Sequence, residues 1–293
     1  MASASIGTTD AQAERAAIAA GYPLPISLAG KLRIAWRLLL LFLAVVLLVP
    51  LHYFFRIVRY GSPFPRLFLF LAGYISGARV IRHGTPLRRD VFFISNHISW
   101  VDIFALAGAS GTAFVAKAEL DASPVIGWLC RLNRTVFVSR EDRSGVADQI
   151  NRLREAFADN WSIAVFPEGT TSDGQSLLPF KSSMMQVLDP PPPGVLVQPV
   201  MLDYGAIAEW IGWIGVEAGG DNAKRILARP GNFPLHIHFL DPFDPRDFPG
   251  RKAITAEARR RIEEALVGAL GKPLRPFPHN VAPVRYEAGQ PAA

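Results

Sequence analysis

Between Leu38 and Leu51 the chain reads Leu-Leu-Leu-Leu-Phe-Leu-Ala-Val-Val-Leu-Leu-Val-Pro-Leu, without one polar side chain. With Ile34-Ala35-Trp36 before it and Tyr53-Phe54-Phe55 behind, the apolar stretch reaches roughly 20 residues, the length at which a helix crosses the hydrocarbon of a bilayer. Arg37 and Pro50 interrupt a clean span. Three readings stay open: a spanning helix, a helix that enters one leaflet and returns, and a buried core helix. A second apolar segment, Leu67 to Ser76, follows the turn-like Gly61-Ser-Pro-Phe-Pro65 and is too short to span alone. It fits an interfacial helix or the second arm of a re-entrant hairpin.

Charge separates the partners this segment can have. No Asp or Glu lies between Arg15 and Arg89, whereas Arg15, Lys31, Arg33, Arg37, Arg56, Arg59, Arg66, Arg79, Arg82, Arg88 and Arg89 are basic. Nucleic acid and anionic lipid both attract such a run. The apolar stretch inside it has no use on a nucleic-acid surface but suits a basic-flanked membrane segment. The expected partner is therefore an anionic membrane surface, with no nucleic acid. The apolar core begins too far from the start, and lacks a small-residue cleavage site, to read as a cleaved signal peptide. The single cysteine, Cys130, rules out an internal disulfide and any Cys-rich metal site.

From about Val80 the pattern becomes globular. Strand-like runs fall at Asp90–Ser95, Thr112–Ala116, Thr135–Ser139, Ser162–Phe166, Val195–Leu202 and Leu235–Leu240. Helical stretches at Val101–Ala109, Val146–Asn160 and Thr255–Leu270 alternate with them. This alternation predicts an α/β fold, a mixed central sheet flanked by helices, behind an N-terminal hydrophobic membrane-associated helical segment.

The chemistry concentrates after the first of these strands, in Asn96-His97-Ile98-Ser99-Trp100-Val101-Asp102. Ser99 and Asp102 fit a helix-start capping box loosely, so Asp102 can be read as a cap and His97 as a plain core or surface histidine. On one continuous helix, residues five apart point about 140° away from each other. If His97 sits instead in the strand-to-helix turn, its ring folds back onto the Asp102 carboxylate. That contact fixes the tautomer and leaves the other nitrogen to take a proton from a hydroxyl. No Gly-x-Ser-x-Gly elbow occurs in the chain, so an acyl-enzyme on serine has no evident home.

Asn96-His97-x4-Asp102 followed by Phe166-Pro167-Glu168-Gly169-Thr170 resembles the two signature motifs of the glycerolipid acyltransferase family, which includes 1-acylglycerol-3-phosphate acyltransferases. Val136-Phe-Val-Ser-Arg140 is similar to that family's second motif and Val197-Gln-Pro-Val200 to its fourth. The resemblance runs from about Arg79 to Phe243 and implies an acyltransferase catalytic domain over residues 79–272. Residues 1–30 then read as a poorly ordered tail, 31–78 as a membrane-associated helical hairpin or span, and 273–293 as a loose Pro-rich tail. The implied roles are His97 as general base, Asp102 as its orienter, and Arg140 as a contact for the acceptor's phosphate. Glu168, Gly169 and Thr170 are expected to shape the acceptor and oxyanion region. Asn96, Lys117, Lys181 and Pro199 complete the expected substrate-binding set. The resemblance implies transfer of a fatty acyl group from acyl-CoA or acyl carrier protein to the hydroxyl of a lysolipid, without cofactor or metal. The corresponding location is a bacterial inner membrane, with the catalytic domain on the cytoplasmic side.

Two positions depart from the family pattern. Thr171 stands where phosphatidate-forming members often carry arginine, and Arg134 where the second motif usually opens with glycine. The acceptor the resemblance implies is 1-acylglycerol-3-phosphate, converted to phosphatidate in membrane phospholipid biosynthesis; loss of a loop cation removes one partner for its phosphate dianion, which makes lyso-ornithine lipid or another lysophospholipid the alternative. A non-catalytic lipid-binding protein on the same fold is the reading from a different class. His236 and His238 share one strand face, but no acidic or cysteine partner is spaced to make them a metal site.

Overall fold

A computed structural model describes residues 6–58, 62–117, 121–138, 155 and 162–279. In chain order the helices are α1 (Ile6–Ala19), α2 (Leu28–Val58), α3 (Phe64–Ser76), α4 (Val101–Ser110), α5 (Pro124–Leu132), α6 (Ala208–Ile211), α7 (Gly219–Ala228) and α8 (Gly250–Leu270). The strands are β1 (Ala78–His83), β2 (Val91–Ser95), β3 (Ala113–Lys117), β4 (Val136–Val138), β5 (Ser162–Val165), β6 (Leu196–Asp203) and β7 (Phe233–Phe239). They form one sheet in the order β1-β7-β6-β2-β5-β3-β4. Strands β6, β2, β5, β3 and β4 run parallel, while β7 turns antiparallel to β6 and carries β1 parallel to itself. The expected α/β sheet is thus present, with an added edge strand, β1, that the sequence reading missed.

The central strand explains the layering. Every residue of Val91-Phe-Phe-Ile-Ser95 is buried, as expected of a parallel strand covered on both faces. Side chains alternate: Val91 and Phe93 join one core with Leu106, Leu202, Leu235 and Ile237, whereas Phe92 and Ile94 join another with Met201. Helix α4 seals the first core. Helix α8 seals the second, through Ile254, Ala258, Ile262 and Leu266, one per turn along a single stripe.

The amino-terminal helices are built onto this sheet. Helix α2 has the length and apolarity to cross a membrane, and Leu38, Phe42, Leu43, Val46, Leu47, Phe54 and Ile57 along it are exposed. Its start is docked: Arg33 Nε donates to the Ala228 carbonyl, and Arg37 donates to the carbonyls of Ile226, Leu227 and Gly231. These carbonyls close the carboxyl end of α7, where intrahelical partners run out and the helix dipole favours a cation. Arg66 of α3 does the same for α4, donating to Gly108 and Ala109. Gly77 then ends α3 at φ 107°, and its carbonyl accepts the Phe233 N–H at the start of β7. A Cβ there would lie 3.2 Å from the Phe233 ring and 3.3 Å from the Arg37 guanidinium.

Both expected loose ends are corrected in part. Residues 6–19 form α1, whose alanine-rich sequence has high helix propensity, and α2 begins at Leu28 rather than 31. Within the carboxyl tail, Leu274 packs on the α8-side core and Arg275 pairs with Asp173 and Glu209. The helix expected over Val146–Asn160 lies outside the described residues except for Glu155.

Helices α3 and α4 approach so closely that a Cβ on Gly108 would sit 2.8 Å from the Phe70 Cα. Gly108→Ala is expected to force the pair apart and to cost about 1–3 kcal/mol. The check is thermal unfolding of the detergent-purified variant; a midpoint at or above that of the parent would contradict this packing.

Candidate active site

Strand β2 ends at Ser95 and α4 begins at Val101, so residues 96–100 turn at the carboxyl edge of the parallel strands. His97 lies in that turn, as the folded-back reading requires, and its Nδ1 is 2.8 Å from Asp102 Oδ2. The same oxygen accepts the backbone N–H groups of Ile98 at 2.6 Å and Ser99 at 2.9 Å. Tyr204, just past the end of β6, donates its hydroxyl to the other oxygen at 2.5 Å. Asp102 therefore caps the turn and holds the histidine at once. Surrounded by donors and fully buried, the carboxylate acts as acceptor to all four, which places the His97 proton on Nδ1 and leaves Nε2 with a free lone pair. Burial, followed by the charge of Asp102, pushes the Tyr204 phenol well above its ordinary range and keeps it a donor.

The ring of His97 is fixed from the side as well. It stacks on Phe166 with centroids 4.1 Å apart, and Phe114 stacks on Phe166 in turn. Its side chain is 15% exposed, enough for a substrate to reach one edge. The His97 backbone is pinned through its N–H to Glu168 Oε1 at 2.7 Å and through its carbonyl to the Ser172 N–H at 2.7 Å.

Several expected substrate contacts prove to be internal. Asn96 is buried and clasps β6, donating to the Leu202 carbonyl and accepting the Leu202 N–H. Pro199 is a buried residue of β6 beside Ile94. Glu168 is fully buried, with its second oxygen accepting the Leu178 N–H at 3.0 Å. The N–H of Gly169 donates to the Phe166 carbonyl within the turn. Thr170 is exposed at the tip of that turn. Lys181 joins the site region through its backbone N–H on the Pro167 carbonyl. Lys117 closes β3, and Arg140 lies outside the described residues.

Thr171 points inward and donates its hydroxyl to the Trp213 carbonyl. Behind it, Asp173 is fully buried and ion-paired to Arg275 at 2.8 Å. Arg134, where the motif usually has glycine, adopts φ 57°, the left-handed conformation glycine takes without cost. The sequence reading missed Tyr204 and Phe166 as partners of the dyad. Phe166 opens the very motif it quoted, whereas Tyr204 becomes a neighbour only because β6 lies beside β2. It also found no third ligand near His236 and His238, and the unforeseen strand β1 brings His83 to them.

Residues 76–203 match the family described as Acyltransferase. The lyso-ornithine lipid O-acyltransferase of Rhizobium meliloti is 32% identical over 187 residues, 57% of this chain and 62% of that protein. That of Brucella abortus is 30% identical over 186 residues, 59% of this chain and 69% of that protein. The 1-acyl-sn-glycerol-3-phosphate acyltransferase of Neisseria gonorrhoeae is 38% identical over 89 residues, 30% of this chain and 34% of that protein. The match to the Rhizobium meliloti protein thus spans less than two thirds of its length. In fold, the chain is similar to the crystal structure of the 1-acyl-sn-glycerophosphate acyltransferase PlsC of Thermotoga maritima. The TM-score is 0.57 and the identity 23%, over 82% of this chain and 97% of that one. The His97–Asp102 turn and the Glu168 loop lie within the matched region, and the chain belongs to the acyltransferase family.

Proposed function

We propose that this protein transfers a fatty acyl group from a thioester of coenzyme A or acyl carrier protein to the free hydroxyl of a lysolipid. The observation that carries this reading is the dyad itself: His97 held by Asp102, with Nε2 unengaged among the described residues. As the lysolipid oxygen attacks the thioester carbonyl, Nε2 takes the hydroxyl proton; the C–S bond then breaks and the thiolate is protonated from the imidazolium. The substrate supplies the nucleophile, and no acyl-enzyme forms.

Lyso-ornithine lipid is the acceptor we favour over lysophosphatidate. Relatives so named match along most of the catalytic region. In the acceptor loop, Thr171 replaces a cation with a buried hydroxyl, and the nearby Arg275 is already paired with Asp173 and Glu209. Such a loop has little positive charge to spare for a phosphate dianion.

The membrane arrangement follows from the anchoring of both helix ends. Helix α2 leaves from α7, and α3 returns to α4 and β1, so both arms of the hairpin belong to one catalytic domain. From Leu38 to Val58 α2 rises about 31 Å, whereas α3 returns only about 20 Å. A helix pair that enters the membrane and returns to the same side suits this geometry, and we place that side at the cytoplasmic face of a bacterial inner membrane.

Glu168 is assigned a positioning role, holding His97 and Leu178 by their N–H groups. Burial raises its carboxyl from the ordinary 4.5 to about 8, aided by the charge on Asp102 and opposed by those two N–H bonds and Arg259. Between these values the native state keeps a proton that the unfolded chain has lost. More protons bound in the native state means that stability falls as pH rises through this window.

Three outcomes test these roles. His97→Ala is expected to lower kcat by about a hundred- to ten-thousandfold in a long-chain acyl thioester assay with lysolipid acceptor; retention of full activity would refute the mechanism. In an acceptor panel, lyso-ornithine lipid should outpace lysophosphatidate, and the reverse order would overturn the assignment of the headgroup. Glu168→Gln should flatten the decline of the unfolding midpoint between about pH 5 and 8. It should also cost about 1–3 kcal/mol at the low end, because its amide NH2 opposes a backbone N–H. A slope as steep as the parent's would remove Glu168 from this account.

A further inference from the structure

We propose that His83, His236 and His238 form a binding site for one divalent transition-metal ion of the zinc class, separate from the His97–Asp102 dyad. Two alternate residues of β7 point to the same sheet face, and β1 pairs with β7 in the register His83 to His238, Ile81 to His236. This places one histidine directly across from a pair spaced i, i+2, a triangle of imidazoles on two neighbouring strands. One ring nitrogen from each lies within 4.8 Å of the others. His83 Nε2 and His236 Nδ1 are 2.9 Å apart, and the rings of His83 and His238 stack at 4.2 Å. Two imidazole nitrogens on a tetrahedral ion, each about 2.0–2.1 Å from it, are themselves about 3.3 Å apart. Small ring rotations therefore bring three lone pairs to one point.

The surroundings favour such an ion. Leu235 and Ile237 belong to the α4-side core, so the histidines that alternate with them on β7 face the other side of the sheet. His83 is exposed and the other two are half-buried, leaving room for water or a small anion at the remaining coordination positions. Asp203 is paired across from His236 on β6 and supplies a negative charge beside the cluster. Three imidazoles without thiolate select zinc, nickel or copper rather than magnesium or calcium. Because β1 follows directly on α3, an ion here would clip the edge strand to β7 and stabilise the native state by mass action.

The test uses the full chain in detergent, purified without a polyhistidine tag, stripped with chelator and titrated with Zn2+ by calorimetry near neutral pH. One equivalent should bind and raise the thermal midpoint. Loss of a group that merely orients a zinc ligand lowers affinity about 10- to 100-fold, so His83→Ala and His236→Gln should each weaken binding by at least about tenfold. His97→Ala should bind as the parent does. Co2+ should show visible absorption bands in the parent that the first two variants lose. Absence of saturable binding, binding by the His83 or His236 variant as tight as the parent's, or loss of binding in His97→Ala would overturn the site. His83 is exposed, so its removal tests ligation without disturbing the core.

Discussion

One buried carboxylate organises the carboxyl edge of the parallel strands. Asp102 has no solvent to stabilise its charge, and burial of an unpaired carboxylate would cost several kcal/mol. It is held by four donors from three sources: the imidazole of His97, the amides of Ile98 and Ser99, and the phenol of Tyr204. Each donor is thereby located by the need to satisfy the same group. The turn after β2 cannot relax without stranding that charge, α4 cannot shift without carrying it away, and β6 is tied to the site through Tyr204. The two interpretations open at the sequence level, helix cap and histidine orienter, describe a single side chain doing both.

The basic bias of the amino-terminal region has a second physical meaning. Composition alone suggests lipid phosphates as partners for all of these cations. In the folded chain, Arg33, Arg37, Arg66 and Arg79 donate to main-chain carbonyls, three of them at the carboxyl ends of α7 and α4. A guanidinium can satisfy two or more carbonyls in a fixed fork, which a lysine cannot match. Arginine at these places welds an apolar hairpin to a globular sheet using groups that would otherwise be left without partners. Arg37, which interrupts the apolar run, is the clearest instance.

Much of this was legible in the sequence because it depends on local pattern. Six of the seven strands, α4, α8 and the His97–Asp102 pair follow from hydrophobic period and turn position. Even the oddity at Arg134 had a structural cause, since its left-handed φ is what a glycine normally supplies there. What escaped depends on strand order. Tyr204 reaches Asp102 because β6 neighbours β2, Asn96 spends its amide on Leu202 for the same reason, and β1 is an edge strand with three exposed residues and little apolar signature. Glu168 was expected to shape the acceptor region because the family resemblance implies it; its burial, with the amides of His97 and Leu178 aimed at it, depends on contacts between segments far apart in the chain.

Gly77 brings four elements to one point: it ends α3, precedes β1, accepts from the first residue of β7 and leaves no space between Phe233 and Arg37 of α2. The apolar helices and the sheet that carries the histidine meet there without room for an added side chain, which sets the height of the His97 turn relative to α2 and α3. For the transfer proposed above, reach then falls to the substrates: the lysolipid would rise out of its leaflet and the acyl chain would be handed in.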